Sequence, residues 1–181
     1  GQGSVVGADG YRYEGQWEAG KIAGEGRVTY PDGSVYEGQF SDDLADGQGK
    51  ITYPDGATYE GDWVGSVIEG EGVATFPSGL TYEGGFKGAQ NHGYGVMRDA
   101  DGYVYEGEWV EGQREGQGKA TYPDGMVYEG GFQAGLRHGE GRITMPDGFS
   151  YEGDWVEGEM TGEGVATYKN GDTYRGAFVE G

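Results

Sequence analysis

The sequence predicts an all-β fold: an elongated single-layer antiparallel sheet of tandem 23-residue β-hairpin repeats, twisted or curved into a trough. Three observations carry this reading. Tyr-Glu-Gly or a near copy returns at Tyr13, Tyr36, Tyr59, Tyr82, Tyr105, Tyr128, Tyr151 and Tyr174, 23 residues apart each time. A fixed period of that size marks a repeat array in which each unit packs on its neighbours. Inside each repeat apolar and polar residues alternate, as in a half-buried strand, and between repeats stands Pro-Asp-Gly, a tight-turn sequence.

The first strand of a repeat is read at Tyr13-Glu14-Gly15-Gln16-Trp17, with Tyr13, Gly15 and Trp17 on one face and Glu14 and Gln16 on the other. A second strand follows at Gly26 to Tyr30, and the segment from Glu18 to Glu25, which carries Gly20 and Gly24, is expected to be a hairpin loop. Pro31-Asp32-Gly33 and its copies at Pro54, Pro123 and Pro146 return the chain, proline presetting φ and glycine tolerating positive φ. Pairing Tyr13 with Tyr30 sets Gly15 against Val28 and Trp17 against Gly26, each large ring beside a small residue. That register also puts Glu14, Thr29, Glu37, Thr52 and Glu60 in one row, an acidic, solvated face. The fifth strand residue alternates Trp17, Phe40, Trp63, Phe86, Trp109, Phe132, Trp155, Phe178, a two-repeat superperiod.

Composition alone points elsewhere. With 42 glycines, a net charge of -20 and 34% hydrophobic residues, the chain resembles one that cannot bury enough surface to fold. Aromatic residues at 14%, held at fixed phases of the period, predict order instead. The chain has no cysteine, so disulfides and thiolate metal sites are excluded. No apolar run approaches the roughly 20 residues of a membrane-spanning helix, and no signal peptide opens the chain, which predicts a soluble protein of undetermined compartment. Residues 1–181 read as one array of about seven full repeats with partial repeats at both ends. Gly1 and Gly3 are in phase with Gly24 and Gly26, so the sequence is expected to be a piece of a longer chain.

Tyr-Glu-Gly-x-Trp/Phe, then Gly-x-Gly, then Tyr-Pro-Asp-Gly at 23-residue spacing resembles the MORN repeat (membrane occupation and recognition nexus), over essentially the whole chain. The resemblance implies a twisted sheet of hairpins used for binding or assembly, sometimes beside a catalytic domain, with phospholipid binding proposed for the family. Two departures stand out. Arg175 replaces the usual glutamate, and the fourth repeat is irregular, with Arg98, Asp99 and Ala100 in the places of Thr, Tyr and Pro. His92, Tyr94, Arg98 and Asp99 are therefore a candidate specificity site.

Chemistry is sparse. His92 and His138 stand two repeats apart, about 19 Å across the sheet, too far to share a metal or a proton. Asp99-Ala100-Asp101-Gly102 lacks the oxygen ligands of a calcium loop. The Gly-x-Gly pairs hold Glu25, Glu71, Glu140 and Glu163, which would repel a phosphate. No enzyme, metal or cofactor is expected. Nucleic acid is excluded by 12 basic against 32 acidic residues, and the same balance opposes anionic membranes, although Lys87, Arg98, Arg114, Arg137 and Arg142 could form a local basic patch.

What remains is a scaffold. Tyr36, Tyr53, Tyr59, Trp63, Tyr82, Phe86, Tyr105, Trp109 and Tyr128 are expected to line an open aromatic trough, with nothing in the sequence to cover them. Such a trough suits a protein partner, for instance a basic amphipathic segment, through burial and cation–π contacts. A second copy is the related expectation, as a face-to-face homodimer or through end-to-end pairing of terminal strands near Val5 and Phe178. The alternative is a phospholipid-associating module accessory to a catalytic domain elsewhere.

Overall fold

The computed structural model of the protein describes residues 1–179. Sixteen strands follow one another: β1 Gln2–Val6, β2 Arg12–Glu18, β3 Lys21–Thr29, β4 Val35–Ser41, β5 Leu44–Thr52, β6 Thr58–Val64, β7 Val67–Thr75, β8 Thr81–Lys87, β9 Gln90–Arg98, β10 Val104–Val110, β11 Gln113–Thr121, β12 Val127–Gln133, β13 Leu136–Thr144, β14 Ser150–Val156, β15 Glu159–Thr167 and β16 Thr173–Phe178. Their order in space is their order in the chain, in one antiparallel sheet that does not close. No helix occurs among the described residues. The all-β sheet of hairpins read from the period is thus what forms. The chain divides into two compact units, Gly1–Gln90 and Asn91–Gly181.

Within the first unit the register differs from the one expected. Tyr13 pairs with Val28, Gly15 with Gly26 and Trp17 with Ile22, not with Tyr30, Val28 and Gly26. The turn sequence takes Tyr30 out of the ladder, because its N–H donates to Ser34 O at 2.8 Å and its carbonyl accepts from Gly33 at 3.0 Å. The strands therefore meet two residues earlier. The expected loop from Glu18 to Glu25 is also mostly strand: only Ala19 and Gly20 turn, at φ 50° and 80°, the two positive values of a type I′ hairpin. The slack appears instead as an irregularity that sets Ala23, Gly24 and Glu25 against Gln16 alone, with Gly24 at φ 76°. The Gln16 side chain closes it by accepting from Glu25 N–H at 2.6 Å.

Gly15 faces Gly26 for a steric reason. The Tyr13 ring lies over Gly26, where a Cβ would stand 2.5 Å from Tyr13 Cε2. Its hydroxyl donates to Gln16 O at 2.7 Å, satisfying a carbonyl that the irregularity strands. Trp17 and Phe40 then close on Tyr13 edge-on, each with ring centroids 5.4 Å away. Tyr36 is held in the same way by Phe40 and Trp63, and Tyr59 by Trp63 and Phe86.

The second unit repeats the scheme, Tyr105 between Trp109 and Phe132, Tyr128 between Phe132 and Trp155, and Tyr151 between Trp155 and Phe178. Each edge-to-face pair adds about 0.5–1.5 kcal/mol to the burial of its rings. The core of each unit is this row of interlocked rings, with Val28, Ile51 and Ala74 between the tyrosines of the first and Ala120, Ile143 and Ala166 between those of the second.

Candidate functional site

The aromatic side is not the open trough that was expected. Tyr36, Tyr105 and Tyr128 are 0% exposed, and Tyr59, Trp63, Tyr82, Phe86 and Trp109 are also buried. They cover one another, which a composition count cannot reveal. Of the nine, only Tyr53 reaches solvent, at 37%. Burial raises the tyrosine hydroxyls, Tyr59 and Tyr128 to about 12 and Tyr36 and Tyr105 further still, so all are neutral hydrogen-bond donors near neutral pH. Trp63 and Trp155 add indole bonds of 2.9 Å to the carbonyls of Gly49 and Gly141.

The second unit changes this side at one position. Where β3, β5 and β7 bury Ile22, Ala45 and Ile68, β11 and β13 place Arg114 and Arg137. The Arg114 guanidinium sits 5.6–5.9 Å from the rings of Tyr103, Tyr105 and Phe132, and donates to the Tyr103 hydroxyl. Arg137 lies 4.8 Å over Trp155 and donates to Gly158 O at 3.0 Å. Arg142 points to the opposite, polar side, paired with Glu129 and Glu152. These three arginines therefore do not form one basic patch.

The accessible concavities lie on the polar side, over the glycine pairs. In the second unit one of about 790 Å³ is floored by Gly130, Gly141, Gly153 and Gly164. An adjoining one of about 590 Å³ shares Gln117, Glu129 and Gly130 with it and begins at Tyr94. A smaller one in the first unit, about 500 Å³, runs over Gly26 and Gly38.

The walls of these concavities correct the expected glutamate–threonine row. The threonines fall in a separate row at the strand ends, Thr29 beside Arg12 and Val35, Thr52 beside Val35 and Thr58, and Thr75 beside Thr58 and Thr81. The glutamates alternate with bases, Glu14–Arg27–Glu37–Lys50–Glu60 in the first unit and Glu106–Lys119–Glu129–Arg142–Glu152 in the second. A second row, Glu108, Gln117, Glu140, Asp154 and Glu163, lines the other wall in the second unit. The whole lining of this groove carries Glu106, Glu108, Glu129, Glu140, Glu152, Asp154 and Glu163 against Lys119, Arg142 and Arg175, an acidic excess of four.

The irregular fourth repeat is only partly one site. Asp99 is a turn residue: its Oδ1 accepts from Asp101 N–H at 2.9 Å and Tyr103 N–H at 3.0 Å. Arg98 is exposed at the strand end and His92 is half-buried. Tyr94 stands apart from these, 64% exposed on the polar groove and directly across from Glu108. Among the described residues no group of His, Asp or Glu side chains is arranged to hold a metal ion, and no helix is long and apolar enough to cross a membrane.

The family model described as the MORN repeat matches residues 13–35, 36–58, 59–81, 82–102, 105–127, 128–150 and 151–173. No curated protein matches the chain. Among solved structures, the TCP domain of SAS-4 (dCPAP) of Drosophila melanogaster, in complex with a proline-rich motif of Ana2 (dSTIL), is similar at 12% identity and TM-score 0.52, over 97% of this chain and 89% of that one. The TCP10 domain of Danio rerio CPAP aligns at 16% identity and TM-score 0.45, over 98% of both chains. The first shows a likeness of fold.

Proposed function

We propose, from the premise that this chain belongs to the MORN-repeat family, that it is a non-enzymatic scaffold whose polar groove receives an extended basic segment of a protein partner. The carrying observation is the groove of the second unit: a glycine floor that admits a backbone closely, between walls holding seven carboxylates and three bases. A guest with Lys and Arg meets the unpaired carboxylates there and is steered toward them by the net charge of -20. The ring side of the second unit enters this reading as the packed layer that holds the floor in place. The similar Drosophila domain was solved with a proline-rich motif, and a bound segment is the kind of use such a sheet supports.

The test is a titration of a fluorescein-labelled Arg/Lys peptide of about 12 residues, with an acidic peptide of equal length as control, at low and physiological salt. Binding of the basic peptide alone, weakened by salt and by the combined substitutions Glu140→Gln, Glu152→Gln and Asp154→Asn, is expected. Equal binding by the triple variant would remove the groove from the reading. Salt-sensitive sedimentation with phosphoinositide vesicles, in the absence of peptide binding, would favour the lipid module instead. Light scattering on the same samples separates a second copy from a foreign partner.

A further inference from the structure

The polar groove has one aromatic side chain that no other repeat supplies. At the position of Tyr94 the other repeats carry Glu25, Gln48, Glu71, Gln117, Glu140 and Glu163. Tyr94 stands 64% exposed in the groove, although the chain buries the tyrosine of every Tyr-Glu-Gly copy. An exposed ring has a face to offer. Glu108 lies directly opposite it and Glu106 one step along the same strand, within the reach that cross-strand and diagonal neighbours have on one sheet face.

Glu106, beside this ring, has a base on one side only, as Glu60 and Glu152 do, whereas two glutamates of the row stand between two bases. Glu37 stands between Arg27 and Lys50, and Glu129 between Lys119 and Arg142. Glu106 has Lys119 on one side and Val96 on the other. The base that the alternation would supply is missing there, on the strand that carries Tyr94. Glu108 is fixed in direction by one oxygen, Oε2, which accepts from Gln117 N–H at 2.6 Å, and among the described residues its other oxygen has no hydrogen-bond donor.

We propose that Tyr94, Glu106 and Glu108 form the anchor subsite of the groove, taking one arginine side chain of the partner's extended segment. The guanidinium stacks on the Tyr94 ring and forks to the two carboxylates, occupying the place of the absent base. Arginine is favoured over lysine because its planar, weakly hydrated head stacks on a ring and offers paired donors, whereas an ammonium is a compact, strongly hydrated charge. The subsite rests on the reading of the groove as a binding surface for a basic segment, and it sets where along the groove that segment is held.

The experiment compares two labelled peptides, identical except that one carries four arginines and the other four lysines, against the full chain and the variants Tyr94→Phe, Tyr94→Leu and Glu106→Gln. Tyr94 is exposed, so the variants are expected to fold, and circular dichroism checks this. The arginine peptide is expected to bind more tightly than the lysine peptide. Tyr94→Leu should weaken the arginine peptide about fivefold or more, the scale of a cation–π contact in a partly desolvated site. Tyr94→Phe should stay within about twofold, since it keeps the ring face. Glu106→Gln should weaken both peptides, more so at low salt. If the peptides bind and Tyr94→Leu matches the unmodified chain, the anchor is wrong and the groove stands. Equal losses in Tyr94→Leu and Tyr94→Phe would assign the effect to the hydroxyl and overturn the stacking. If neither peptide binds the unmodified chain, the groove reading and the anchor fall together.

Discussion

Tyr105 lies over Gly118 so closely that a Cβ on that glycine would stand 2.5 Å from Tyr105 Cε2. Gly118 pairs with Gly107, where a Cβ would in turn stand 2.5 Å from Gly118 Cα. The glycine pairs that face each other across neighbouring strands are therefore clearance for a buried ring.

Gly118→Ala tests that statement without confusing it with backbone strain, because Gly118 does not have a positive φ. The added methyl must displace the Tyr105 ring, which is 0% exposed and bonded to Glu108 O at 2.8 Å. The expected cost is that of overpacking, about 1–3 kcal/mol, read as a lower urea midpoint. Gly20→Ala is the control: it has open space around it and a turn conformation, and its loss is the φ cost alone. A Gly118→Ala protein as stable as the parent would refute the clearance argument.

Alkaline unfolding follows from the buried hydroxyls. Burial raises Tyr59 and Tyr128 from 10.0 to about 12, opposed in Tyr128 by the nearby Arg137. Above pH 10 the unfolded chain loses these protons while the native chain keeps them, so the native state binds more protons and stability falls as pH rises. The contribution is intact below pH 10 and is lost progressively toward pH 12. Urea midpoints followed by tryptophan fluorescence from pH 8 to pH 12 should show that decline, and Tyr128→Phe should make it shallower. A midpoint unchanged between pH 9 and pH 11.5 would contradict the assignment.

Arg137 has a structural role on the ring side, over Trp155 and bonded to Gly158 O. Arg137→Ala removes both contacts and the cover they provide, for an expected loss of about 1–2 kcal/mol. Trp155 emission should shift to longer wavelength as water reaches the indole. Arg142→Ala on the polar side should leave that emission unchanged, and equal shifts in both variants would refute the placement.

The charge ladder predicts a salt-dependent register penalty. Arg27 faces Glu14 and Glu37, its Nε 3.9 Å from Glu37 Oε1. Arg27→Glu sets three carboxylates side by side, at an expected cost of about 1 kcal/mol for exposed groups on adjacent strands. Half a molar salt should recover most of it. A loss that persists at high salt would point to packing instead of charge.

The amino-acid sequence by itself determined the repeat, the strands and the side on which every Tyr-Glu-Gly tyrosine lies. These are local properties: a 23-residue period, alternation along a strand, and Pro-Asp-Gly turns that need no distant contact. It did not determine the register, because the two-residue turn at Ala19-Gly20 lacks the usual Asn-Gly signal and Tyr30 belongs equally well to a strand or a turn until Ser34 claims its N–H. Nor could it determine that the rings are core. Tyr36 is covered by Phe40 from its own strand and by Trp63 from the next repeat, contacts that exist only once neighbouring hairpins are side by side. The two-residue shift that tertiary packing imposed also turned an apparent acidic stripe into an alternating ladder. It left Glu106 with one base and Tyr94 on the polar side, 64% exposed and away from the interlocked rings. A side chain's face is set by its own strand, whereas its partner is set by the strand beside it, and only the second is a property of the assembled sheet.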